Sequence, residues 1–165
     1  AGLLPGPLRD RFGFTAHLDF YDESDISRIV ERSASLLDVA ITNESISELG
    51  RRSRGTPRIA NRLLRRVRDY AQMHKRELDD VTVSDAFELL GLDSHGLSAN
   101  DILILKTLRD KFGGGPTGVK NIAAATGEDE GTIEDVVEPY LIQLGLIERT
   151  PRGRVLTEKG RAYIH

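Results

Sequence analysis

The chain has 165 residues, 39 % of them hydrophobic and 30 % charged, enough apolar material for compact cores in one or two small domains. No apolar run approaches the roughly 20 residues that span a bilayer, and Ala1-Gly2-Leu3-Leu4-Pro5 lacks the basic start and long apolar middle of a secretory signal; the absence of cysteine excludes disulfides and thiolate metal sites and fits a reducing cytoplasm. With 23 Lys and Arg against 26 Asp and Glu, the formal charge of −3 argues against a nonspecifically sticky basic protein, so nucleic-acid contact would have to come from local clusters of cations.

In chain order, Phe14 to Tyr21 alternates apolar and polar residues and reads as a short strand after the turn-prone Arg11-Phe12-Gly13. From Asp22 to about Asp93 the pattern is helical. Ile26, Ile29, Val30 and Leu37 share one face of a first helix, and Ile46 with Leu49 mark a second. A third starts at Thr56 with Ile59, Leu63, Val67 and Tyr70 facing inward. Thr82 with Asp85 reads as a capping box opening a fourth, which holds Phe87 and Leu90 and stops at Gly91. Leu92 to Leu97, bracketed by Gly91 and Gly96, reads as a hinge.

Beyond it, Leu97-Ser98-Ala99-Asn100-Asp101-Ile102 supplies a hydrophobic staple, a serine cap and an N3 acid for a helix carrying Ile102, Leu105, Leu108 and Phe112, ended by Gly113-Gly114-Gly115-Pro116. A short helix around Val119–Ala125 and a turn at Thr126-Gly127 lead to a third helix with Ile133, Val136, Val137, Tyr140 and Leu144 inward. Leu146–Thr150 and Arg154–Thr157 flank Pro151-Arg152-Gly153 as a hairpin. The expectation is a mainly α protein: a four-helix lid-type bundle over 22–93, then a winged helix with a small β-hairpin over 94–165.

Arg54-Gly55-Thr56-Pro57-Arg58-Ile59-Ala60-Asn61-Arg62 places Arg58 on the first turn of a helix, with Thr56 as cap and Pro57 at N1. The terminal amides, the positive end of the helix dipole and the guanidinium would all favour a phosphate there, although a capped helix with one solvated arginine gives the same pattern. The third helix of the winged helix and its approach carry Glu128, Asp129, Glu130, Glu134, Asp135 and Glu138, which would face phosphates if that helix entered a major groove. Arg149, Arg152 and Arg154 crowd the hairpin instead, so DNA binding is expected to be wing-first and indifferent to sequence. The row Arg62, Arg65, Arg66 and Arg68 reads as a solvated or intersubunit face. His17, His74, His95 and His165 are scattered, so a metal site is not expected, and no nucleophile triad or carboxylate pair stands out.

The segments Pro7-Leu8-Arg9-Asp10-Arg11-Phe12-Gly13, Ile59 through Ala71, Glu138-Pro139-Tyr140-Leu141-Ile142-Gln143-Leu144-Gly145 and Arg149-Thr150-Pro151-Arg152-Gly153-Arg154, in this order, resemble the C-terminal half of the RuvB family. These are bacterial hexameric AAA+ motors of Holliday junction branch migration in recombination and DNA repair. The resemblance implies ATP with Mg²⁺, a cytoplasmic homo-hexamer, duplex DNA at junctions, and RuvA and RuvC as partners. It makes residues 1–21 the end of the large ATPase core, and the strand at 14–21 that core's last strand. Arg11 falls at the arginine finger, with Arg9 the obvious confusion; Tyr21 matches a nucleotide-lining position or is simply a core tyrosine; and the arginines matching Arg149 and Arg154 contact DNA. No Gly-x-x-x-x-Gly-Lys-Ser/Thr phosphate loop and no acidic motor strand occur, so these residues alone are expected to be inactive, as a piece of the motor that begins after its catalytic core. Rival readings are a non-enzymatic winged-helix regulator with a helical dimerisation or sensing bundle, disfavoured by the acidic third helix and the solitary strand, and a clamp-loader-like or initiator AAA+ protein, disfavoured by the wing.

Overall fold

The computed structural model describes residues 11–14 and 19–164, and its helices gather around two separate apolar clusters. The first is built by α1 (Glu23–Leu36), α2 (Asn43–Arg52), α3 (Pro57–His74) and α4 (Asp80–Leu89). Each contributes one apolar stripe: Ile26, Val30 and Ala34 from α1, Ile46 and Leu49 from α2, Ala60, Leu63, Leu64, Val67 and Ala71 from α3, and Val83, Ala86 and Phe87 from α4. Leu37 and Leu90 lie at helix ends and remain exposed, so the inward faces are narrower than the periodicity suggested.

The helix starts are tied by short polar side chains. Asp22 caps α1, and Thr42 caps α2 while it and Ser45 also donate to Asp80 at the head of α4. The cap of α4 is Asp79, which accepts from the Thr82 amide at 2.8 Å; the expected Thr82–Asp85 box is therefore displaced by one turn, and Asp85 pairs with Arg76 instead. Of the expected strand, residues 15–18 lie outside the described residues, and Phe14 and Asp19–Tyr21 are not in a strand.

The second cluster is built by α5 (Ala99–Asp110), α6 (Val119–Thr126), α7 (Glu130–Thr132), a π turn (Ile133–Val137), α8 (Glu138–Gln143), β1 (Ile147–Thr150), β2 (Gly153–Leu156) and α9 (Glu158–Tyr163). The Ser98–Asp101 capping box forms as expected. From α7 to α8 the chain runs on as one helix, widened at the π turn because Pro139 brings no amide and its ring would strike the carbonyl four residues back. The widened turn leaves Val136 60 % exposed, against the expectation that it faces inward, while Ile133, Val137, Tyr140 and Leu141 are buried.

The hairpin pairs Ile147 with Leu156, Glu148 with Val155, Arg149 with Arg154 and Thr150 with Gly153. A third segment joins its edge: the amides and carbonyls of Thr117 and Arg154 exchange hydrogen bonds at 2.9 and 2.8 Å. Gly153, at φ +129°, allows this approach, since a Cβ there would come within 2.5 Å of the Thr117 carbonyl. The glycine run does more than end α5, for Gly114 accepts from the Leu156 amide and lies along β2.

Candidate functional site

At the start of α3, Gly55 accepts from the Tyr21 amide at 3.0 Å, and its φ of +61° with no Cβ lets residues 20–21 lie directly against it. Tyr21, half exposed, is thereby tethered three residues before Arg58 on the same turn. Thr56 occupies the N-cap position but gives no side-chain cap; its hydroxyl donates back to the Arg54 carbonyl. With no acid in that first turn, the amides of Arg58 and Ile59 keep their attraction for an anion, and the exposed Arg58 has no ion pair among the described residues. This chemistry suits a phosphate. An open cleft beside Tyr21 is lined by Asp25, Arg28, Ile29, Glu31 and Arg32, so its charge is mixed. Arg11 is exposed, while Arg9 lies outside the described residues. Arg62, Arg65 and Arg66 are exposed along α3, and Arg68 pairs with Asp69 at 2.8 Å.

The wing is not the unopposed cationic turn that the sequence suggested. Arg154 is buried, 7 % exposed, and donates through Nε and Nη2 to Glu138 Oε2 and through Nη2 to Glu134 Oε1 at 2.7 Å. Burial alone would lower its guanidinium, but Glu138 and Glu134 outweigh that and hold it above its ordinary value. Arg154 is thus a buried ion-pair residue rather than a side chain presented to solvent. Arg149, its cross-strand partner, is 61 % exposed at the side chain and lies 3.6 Å from Glu134 and 3.5 Å from Glu138. Two like charges placed opposite each other would repel, so the two carboxylates are what allow this pairing. Glu134 and Glu138 therefore turn toward the wing. Asp129 caps α7 and Glu128 accepts from Asn100, whereas Asp135 stays exposed. Arg152 is exposed at the hairpin turn.

Sequence reasoning missed Arg54. Its guanidinium crosses from the helical bundle to the winged helix, where Nη2 pairs with the buried Asp101 at 2.5 Å, Nε and Nη2 donate to the Gly96 carbonyl, and the Tyr140 ring lies 5.0 Å away. The available signal was an arginine before a glycine at a helix head, which does not reveal a partner 47 residues on. Among the described residues no group of three or more His, Asp or Glu could hold a metal, and no helix is long and apolar enough to cross a membrane.

A bundle of four helices with an anion-receptive third helix, joined to a winged helix with a cationic hairpin, defines the lid and winged-helix class of AAA+ proteins. A family model described as "RuvB AAA lid domain" matches residues 21–93 and one described as "RuvB C-terminal winged helix domain" matches residues 94–165. The chain is 55 % identical over 157 residues to the "Holliday junction branch migration complex subunit RuvB" of Acidothermus cellulolyticus, covering 94 % of this chain and 43 % of that protein. The solved "Thermotoga maritima RuvB Holliday junction branch migration motor" superposes with a TM-score of 0.91 at 44 % identity, over 98 % of this chain and 55 % of that one. The chain belongs to the RuvB family and spans about half the length of the relatives it matches.

Proposed function

We propose that this chain is the nucleotide-sensing lid and DNA-gripping winged helix of an ATP-driven Holliday junction branch-migration motor. The motor works in the cytoplasm in recombination and DNA repair, as a homo-hexamer on duplex DNA with RuvA and RuvC as partners. In it, residues 1–21 close a large ATPase core, 22–93 form the lid and 94–165 the winged helix. The observation that carries the reading is Arg58, exposed and without an ion pair among the described residues, beside helix amides that no side chain caps, in a chain of this family.

The nucleotide fits the residues present: Arg58 would hold the terminal phosphates of ATP and Tyr21 the side of the nucleoside, and ATP with Mg²⁺, when bound, supplies the driving free energy of phosphoryl transfer. Arg11 would act on the nucleotide of the neighbouring subunit. At the other end, Arg149 and Arg152 meet phosphates without reading bases, which suits a motor that passes over any sequence, and Arg154 anchors the Glu134 and Glu138 carboxylates that steady Arg149.

The test uses a protein that joins this chain to a phosphate-loop ATPase core. Arg58→Ala should reduce ATP turnover by roughly tenfold or more and abolish the dependence of DNA affinity on nucleotide. Turnover and coupling equal to those of the unmodified protein would overturn the reading.

A further inference from the structure

The loop that carries Arg58 at one end carries Arg54 at the other, and Arg54 holds a left-handed backbone at φ +56°. A non-glycine residue carries a backbone cost in that region, one commonly met just past a helix end. The side chain spends its fork of donors on three places in the winged-helix half: the Gly96 carbonyl, the Asp101 carboxylate and the face of Tyr140. Asp101 is 2 % exposed and at the same time closes the capping box of α5.

The connection expected to be a hinge has no slack around this contact. Leu92 and Ser98 form an antiparallel bridge, and Asp93 accepts from the amides of His95 and Leu97. Arg52 donates to the Asp93 carbonyl, the Tyr140 hydroxyl to the His95 carbonyl, and the Tyr163 hydroxyl to Asp93 Oδ2. Burial and the Asp93 carboxylate push the Tyr163 phenol well above its ordinary value. Gly96 is pressed onto the lid so closely that a Cβ would lie 2.4 Å from the Arg52 carbonyl oxygen.

We propose that Arg54 is a positioning residue that fixes the winged helix to the lid as one rigid body. A displacement of the Arg54–Arg58 loop is then delivered to α5 as a rotation of the whole winged helix instead of being absorbed in the connection. Only the mechanical use of this corner rests on the motor reading; the rigidity does not. A lysine cannot substitute, because one ammonium supplies neither the planar fork to Gly96 and Asp101 nor the stack on Tyr140.

The chain has no cysteine, so Gln72→Cys in α3 and Asn121→Cys in α6, both exposed, take spin labels without competition. Pulsed dipolar spectroscopy on the 165-residue chain, with neither nucleotide nor DNA, should give one narrow distance distribution. Arg54→Ala should roughly double its width, and Arg54→Lys should widen it to an intermediate value, while α3 and α5 remain folded and protected from amide exchange in both. If the alanine variant does not fold, the lysine variant carries the test. A distribution as narrow as the native one in the folded variants would overturn the proposal. So would loss of protection in both variants, which would make Arg54 a core-stability residue. Because no ligand is involved, either failure leaves the motor reading standing, and failure of the motor reading leaves the rigid corner.

Discussion

Arg154 Nε and Nη2 both donate to one oxygen of Glu138, at 2.9 and 2.7 Å, so the hairpin is bonded, one pair from its turn, to the helix that faces it. Both side chains are almost fully buried. Removing one partner leaves an uncompensated charge, and Arg154→Ala should destabilise the chain by about 3–5 kcal/mol. Arg154→Met combined with Glu138→Met, which removes both charges and keeps apolar volume, should recover most of that loss in urea titration. A single alanine variant as stable as the native chain would contradict this role.

Arg149 and Arg152 are exposed and should behave in the opposite way. Replacing both with alanine should leave thermal stability nearly unchanged and flatten the slope of log affinity for duplex DNA against log salt by about one to two units. Glu134→Gln should raise affinity several-fold, because Glu134 competes with phosphates for Arg149 at 3.6 Å. Fluorescence anisotropy at several salt concentrations measures both, with strong preference for one duplex sequence as the outcome that would instead favour a regulator.

Arg11 and Arg58 separate by subunit mixing in a protein carrying the ATPase core. Arg11→Ala subunits mixed with subunits of disabled phosphate loop should regain some hydrolysis, since an intact finger meets an intact pocket at one kind of interface. Arg58→Ala subunits in the same mixture should regain none, both lesions lying in pockets. Identical behaviour of the two mixtures would remove Arg11 as a trans-acting residue.

The lid should weaken in acid through its caps. The Asp25 amide holds Asp22 below the usual carboxylate range, and the Thr82 amide does the same for Asp79. A depressed folded value means that the stabilisation is present above about pH 4 and is lost as pH falls below it. Asp79→Asn, which caps without titrating, should reduce the loss of α-helical circular dichroism between neutral and strongly acid pH.

Local signals carried much of the architecture. Periodicity and capping chemistry marked the helices of both halves, and the Ser98–Asp101 box formed at its expected position because both partners lie within one turn. What failed at the wing and at the connection was non-local. The wing arginines looked unopposed because Glu134 and Glu138, 20 and 16 residues before Arg154, reach them only after the helix and hairpin pack. The glycines at 91 and 96 suggested flexibility, whereas Gly96 permits a close contact with Arg52. Pro139 was visible in the sequence and its consequence, the wider turn that exposes Val136, could have been anticipated.

Asp101 has one carboxylate and two duties: Oδ2 receives the Ser98 amide that begins α5 and also the guanidinium of Arg54. The winged helix therefore cannot fray at its first turn without releasing the lid, and the lid cannot detach without exposing a charged group that had been capping a helix. Two apolar clusters of this size would ordinarily melt as independent units, each with its own midpoint. Sharing Asp101 merges them into one cooperative unit, so calorimetry of the native chain should show a single endotherm, and Arg54→Lys should split it in two.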